Sequence, residues 1–277
     1  MSVGSDSHSA QVPVVAVASG KGGVGKTTAA VNIALALNQA GTRVGLVDAD
    51  LYGPDAAHMM GLQRSEDASS VTVFAVKGTA SARLQAVSRH GVPMASAAFL
   101  IGRAQGLGVQ APIAQLLIHR LINDTVWGDL DCLIVDLPPG TADIQQMVFA
   151  LGNRATYALI VVTPQVVAHR DAHRLLHELG RSKAVVLGGI ENMADQVCPS
   201  CGKTTPLFTP APHDESIWSS IPKLVSVPFS SAAAQDADHG KPVMVTRAVA
   251  EQVAAYELVA RHIQEALSGG SAERVVS

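Results

Sequence analysis

Residues 20–27 read Gly-Lys-Gly-Gly-Val-Gly-Lys-Thr, between an apolar β-branched run at 12–18 and an Ala/Leu-rich stretch at 29–40. Strand, glycine loop and helix in that order fit G-x-x-x-x-G-K-[ST] in the context the motif requires. The fold is sharply restricted as a result. The strand belongs inside a parallel sheet, and the helix must pack back onto it. With no Cβ at Gly20, Gly22, Gly23 and Gly25, backbone N–H groups, that of Val24 included, can converge on phosphate oxygens. The helix N-terminus near Gly25 adds positive potential, with Thr28 in its first turn as a further nucleotide contact. Lys26 is placed to reach β- and γ-phosphates, and Thr27 to set its hydroxyl on Mg²⁺.

Alternating strand and helix patterns continue along the chain. A second strand at 43–47 ends in Asp48-Ala49-Asp50. Carboxylates at the carboxyl end of a parallel strand face the ligand crevice. Asp50 is expected to orient the attacking water and Asp48 to support the Mg²⁺ shell. Leu133-Ile134-Val135-Asp136 reads as a strand whose aspartate holds Mg²⁺ through water, and Pro138-Pro139-Gly140 as the turn whose Gly140 N–H meets the γ-phosphate. Further strands are expected at 71–76, 92–95, 157–162, 184–190 and 224–227. Helices are expected at 112–125 and 166–179, with a long closing helix at 244–267. Residues 102–111 read as a glycine-rich mobile loop and 193–222 as an insertion with two cysteines. Residues 1–11 and 269–277 read as disordered tails. No linker divides 12–268, which predicts one α/β domain around a doubly wound, mostly parallel sheet.

Hydrophobic residues at 48% and charged residues at 16% exclude a disordered chain. A net charge of −3 offers no field for nucleic acid. No apolar run reaches the ~18–20 residues of a membrane helix. The closing helix lacks the basic face of a membrane-surface anchor, so no stable membrane association is expected. The first residues lack the order of a signal peptide, and a cytoplasmic location follows as the expectation.

Three cysteines do not make a disulfide framework. Cys132 lies in an apolar strand and reads as core. Cys198-Pro199-Ser200-Cys201 is a C-x-x-C on a loop. Two thiolates leave a four-ligand site half complete, whereas two copies of the chain complete it on a two-fold axis. A 4Fe–4S cluster and Zn²⁺ both accept four cysteines. His169, His173 and His177 recur every fourth residue among charged neighbours and read as a solvated helix face.

Lys21, a second lysine within the loop, resembles the deviant loop of the MinD/ParA and nitrogenase iron-protein group. There this lysine reaches across a homodimer to the partner's nucleotide. The combined segments resemble the Mrp/ApbC P-loop ATPases, the iron–sulfur cluster carriers. They are the glycine loop, Asp48-Ala49-Asp50-Leu51-Tyr52-Gly53-Pro54, Val135-Asp136-Leu137-Pro138-Pro139-Gly140, Val162-Thr163-Pro164-Gln165, Gly189-Ile190-Glu191-Asn192-Met193 and Cys198-Pro199-Ser200-Cys201. The resemblance implies a homodimer that hydrolyses ATP and hands a cluster, bridged by Cys198 and Cys201 of each subunit, to client apoproteins. It also implies that Asn192 and Pro228 contact adenine. A MinD/ParA-like positioning ATPase and a zinc-stapled dimeric ATPase are the alternatives. Ala194-Asp195-Gln196 stands where the family carries an aromatic pair. Val109-Gln110-Ala111-Pro112 replaces its Trp-Arg-Gly-Pro, and Phe229-Ser230-Ser231 its Leu-Asp-Pro.

Overall fold

A computed structural model describes residues 12–51, 53–62, 74–75, 82–100, 111–140, 143–150, 154–197, 201 and 203–269. Apart from Gly269, the expected tails lie outside these residues; so do 102–110 of the expected mobile loop, Cys198 of the cysteine pair, and all of the expected strand at 71–76 but 74–75.

Strand β1 (Val14–Ala18) leads through the glycine loop into α1 (Lys26–Gln39), β2 (Val44–Asp48) and a short α2 (Ala56–Met59). Next come β3 (Phe74–Ala75), β4 (Ala82–Gln85), β5 (Val87–Arg89) and β6 (Val92–Ser96). His90 and Gly91, both at positive φ, turn the β5–β6 hairpin as a type I′ turn does. The chain continues with α3 (Ala97–Leu100), α4 (Ala111–Asn123), β7 (Thr125–Val126), β8 (Cys132–Asp136), α5 (Asp143–Phe149), β9 (Thr156–Val162) and α6 (Val166–Gly180). It closes with β10 (Val185–Val197), β11 (Thr204–Pro206), β12 (Lys223–Phe229), α7 (Ser231–Asp238), α8 (Val243–Thr246) and α9 (Ala250–Leu267).

The main sheet runs β11-β10-β9-β1-β8-β2-β6-β5, with β12 also paired to β10. Every pairing from β10 to β6 is parallel, and antiparallel β11 and β5 lie at the edges. Alternate residues of each central strand feed opposite cores. Val15 and Val17 of β1 join Ile134 and Leu159 on the face covered by α1 and α9. Val14, Ala16 and Ala18 join Val135 and Ile160 on the face covered by α4, α5 and α6. Burial on both faces is why these strands read as continuous apolar runs. Helix α1 is buried without a break from Ala29 to Leu37, because it lies between the sheet and α9.

Three expectations are corrected. The closing helix is split: Arg247 adopts φ 53° and ends α8, and α9 starts afresh after Val249. Side chains of α1 explain the break. Asn32 Oδ1 accepts from the Met244 N–H, and Gln39 Nε2 donates to the Met244 carbonyl, so the backbone there is pinned outside a continuous helix. The cysteine region is no separate insertion at its start, since β10 runs on to Val197 and turns back into β11. Finally, α4 stops at Asn123, because Thr125 and Val126 pair with β4.

Candidate nucleotide and metal site

With β1 flanked by β8 and β9, the glycine loop emerges between the ends of those strands. Two glycines are required there by geometry. A Cβ on Gly20 would lie 2.3 Å from the Asp171 carbonyl carbon, so the loop seats directly on the α6 backbone. Gly25 caps α1 at φ 84°, and a Cβ there would lie 2.1 Å from Asn192 Nδ2. That close approach lets Asn192 Nδ2 donate to the Val24 carbonyl at 2.8 Å, which fastens the loop to β10.

The three expected aspartates come together because β2 lies beside β8. Asp48 and Asp136 are Cα partners across these strands. Lys26 Nζ donates to Asp136 Oδ1 at 2.7 Å and stands 4.0 Å from Asp50 Oδ2. Lys26 and Asp136 are both buried. A buried ion pair needs this close geometry to offset its desolvation. Burial pushes the Asp48 carboxyl well above the usual carboxylate range, and the Asp136 charge adds to the rise. Burial raises Asp136 as well, against the pull of Lys26. Asp48 accepts from the Ser96 hydroxyl at 2.9 Å and from the Asp50 N–H at 3.3 Å, so it sits behind Asp50 and orients its backbone.

The second oxygen of Asp136, Oδ2, is buried and has no hydrogen-bond partner among the described residues. Thr27 stands beside Asp136, where its side chain favours the charged carboxylate, and this pair of oxygen donors fits a hard divalent cation with its water shell. Gly140, at φ 93°, donates its N–H to the Ser19 carbonyl at 3.1 Å. Gln145 Nε2 donates to the Pro138 carbonyl at 2.6 Å and so positions the Pro-Pro-Gly turn. Lys21 Nζ donates to Gln165 Oε1 at 3.4 Å within its own chain.

A groove extends this phosphate end past Gly22, Gly23 and Thr28 to a pocket lined by Asn192, Met193, Pro228, Phe229, Gln252 and Tyr256. Both ends share Gly25, Thr28, Met59 and Met193, so one continuous cleft has the glycine loop at one end and an apolar slot at the other. Met193, at φ 55°, is a non-glycine residue in the left-handed region where the two ends join. The Pro228 carbonyl accepts from Gln252 Nε2 at 2.8 Å.

Cys201 is exposed on the turn between β10 and β11. Cys132 is buried, and burial pushes its thiol up to about 12, as befits a core residue. The described residues hold no group of three or more His, Cys, Asp or Glu able to bind a metal.

His169 corrects the expectation of a solvated helix face. Its exposure is 1%, its Nδ1 accepts from the Ile217 N–H at 3.1 Å, and its ring packs edge-on to Trp218 at 5.6 Å. The segment after β11 folds back over α6 and covers it. Ser96, Gln145 and Gln252 carry no local motif of their own. Gln165, by contrast, ends a Thr-Pro-Gln run directly after an apolar strand.

A family model described as ParA, NUBPL iron-transfer P-loop NTPase, matches residues 11–264. An iron-sulfur cluster carrier protein of Deinococcus radiodurans is 38% identical over 264 residues, covering 95% of this chain and 71% of the relative. One from Escherichia coli is 33% identical over 251 residues, covering 90% of this chain and 65% of the relative, so about a third of that relative lies beyond the match. Among solved structures, a nucleotide-binding protein of Archaeoglobus fulgidus in complex with ADP is similar at TM-score 0.65 and 30% identity, over 82% of this chain and 86% of that one. The septum site-determining protein MinD of Pyrococcus horikoshii with Mg-ADP shares the fold at TM-score 0.64 and 18% identity, over 94% of this chain and 99% of that one.

Proposed function

This chain belongs to the ParA-type family of iron-transfer P-loop NTPases, the Mrp/ApbC group of iron–sulfur cluster carriers, and from that membership we propose that it is an ATP-hydrolysing homodimer that holds a cluster between subunits and passes it to client apoproteins. The observation that carries the reading is β10. One strand supplies Asn192 at one end of the cleft and ends at Val197, the residue that precedes the first cysteine of the pair in the sequence. A change at the nucleotide therefore has a short, hydrogen-bonded route to the cysteine turn.

In this account the backbone N–H groups of residues 20–28 cradle the phosphates, and Lys26 leaves Asp136 to meet the β- and γ-oxygens. Asp50 orients the attacking water, and its backbone is held by Asp48. Thr27 and Asp136 would hold Mg²⁺, which supplies charge neutralisation on the phosphates when bound. Lys21 acts on the partner's nucleotide as an in-trans cation. Asn192 spends its amide donor on Val24 and keeps an acceptor for an adenine amino group, beside Pro228. Cys198 and Cys201 of two subunits bind the cluster as cargo. Zn²⁺ on the same four thiolates is the rival reading, decided by metal content.

The test is transfer. Anaerobically loaded protein is mixed with an apoprotein whose activity needs a 4Fe–4S cluster, with ATP present. Wild type restores client activity, and Cys201→Ser does not. Equal client activation by Cys201→Ser would remove the carrier reading.

A further inference from the structure

Lys21 is held within its own subunit by one side chain. Gln165 Oε1 accepts from Lys21 Nζ at 3.4 Å and from the Thr163 hydroxyl at 3.4 Å. Gln165 is the N-cap of α6, yet its side chain makes no capping hydrogen bond, so it is given over to the lysine. An uncharged acceptor at this distance retains the ammonium without neutralising it, and such a hold is weak enough to exchange.

The residue before it is tied to the cysteine hairpin. The hairpin closes with Leu207 N–H donating to the Ala194 carbonyl at 3.4 Å, and four residues later Ala211 N–H donates to the Pro164 carbonyl at 2.8 Å. The same segment is clamped along α6. Arg170 Nε donates to Glu215 Oε2 at 2.5 Å, and the Ile217 N–H donates to His169 Nδ1 at 3.1 Å. The segment that leaves the second cysteine is thus fastened to α6 at its first turn, where Lys21 is retained.

We propose that Gln165 is a positioning residue that latches Lys21 in its own subunit, and that the cysteine hairpin sets the latch through the Ala211–Pro164 hydrogen bond. Lys21 then has two arrangements, on Gln165 or on the partner's nucleotide, and hairpin and nucleotide bias the same choice. The role of Lys21 on the partner's nucleotide rests on the proposed function; the latch itself does not.

The experiment reads the rate of Lys21 acetylation by mass spectrometry in the full chain without nucleotide, with Lys183 and Lys241 as internal controls. Gln165→Leu should raise the Lys21 rate about two- to fivefold, the range of one modest hydrogen bond. Gln165→Glu should lower it by a similar factor, because a carboxylate holds the ammonium harder. A purely structural role would move both variants in one direction. Ala211→Pro removes the N–H to Pro164 and should raise the rate toward the Leu value. An unchanged rate in Gln165→Leu overturns the latch. A raised rate there with a wild-type rate in Ala211→Pro overturns the link to the hairpin. Sedimentation tests the in-trans role separately: ATP should convert the wild-type chain to a dimer, and a chain that stays monomeric overturns that role while leaving the acetylation results to decide the latch.

Discussion

Replacing Lys26 with alanine leaves the buried Asp136 carboxylate without its cation. An unrelieved buried charge costs about 3–5 kcal/mol. The loss here should be smaller, because burial already raises the Asp136 pKa and the carboxyl can take up a proton. Lys26→Met fills the same space and should recover part of that stability, yet both variants should lose ATP turnover. Urea unfolding beside a phosphate-release assay separates the two effects, and turnover by Lys26→Met would remove Lys26 from the site. Asp50→Ala should behave differently, keeping ATP binding while turnover falls about 10²–10⁴-fold, the range for a positioned catalytic carboxylate. Unchanged turnover in that variant would reassign the water-orienting role.

Elements show where sequence reading works and where it stops. The glycine loop, Asp48-Ala49-Asp50 and the strand ending in Asp136 are legible because each is a short run whose chemistry and local conformation coincide. Ser96 on Asp48, Gln165 on Lys21 and Ile217 on His169 join residues far apart in the chain, and no local pattern announces them. The closing helix misled for the same reason, since its break is dictated by Asn32 and Gln39 of α1. One departure from the family pattern is explained at this scale. Ser230, where Asp is usual, caps α7 by accepting from the Ala233 N–H at 3.2 Å, a role either residue fills. Ser230→Ala should therefore cost about 1 kcal/mol in urea unfolding, and a neutral result would deny the cap. The segment packed over α6 should also be pH-sensitive. Burial lowers the His169 pKa below its ordinary value, so the unfolded chain binds its proton more readily than the folded one. Stability contributed by neutral His169 is present above about pH 6.5 and is lost as pH falls through that value. His169→Asn keeps an acceptor for Ile217 and cannot titrate there, so its stability should vary less between pH 7 and 5. Parallel slopes for the two proteins would contradict this.

At the scale of the whole molecule, the carboxyl ends of the parallel strands bring the glycine loop and the approach to the cysteine turn to one side of the sheet. The strands β1, β8 and β2 bring Lys26, Asp136 and Asp50 together at one level. The strand β10 carries the base end of the same cleft onward to the cysteine turn. The proposed cluster site needs a dimer, because the two thiolates of one chain would not complete a tetrahedral set. The proposed cargo is a cluster shared between two copies. Its most direct measurement is iron, sulfide and zinc per chain after anaerobic reconstitution, with the mass of the species read by light scattering and Cys198→Ser run beside wild type. The expected species is a dimer with about four irons and four sulfides per pair of chains, reduced to background in Cys198→Ser. A monomer without iron, or a dimer holding only zinc, would contradict it.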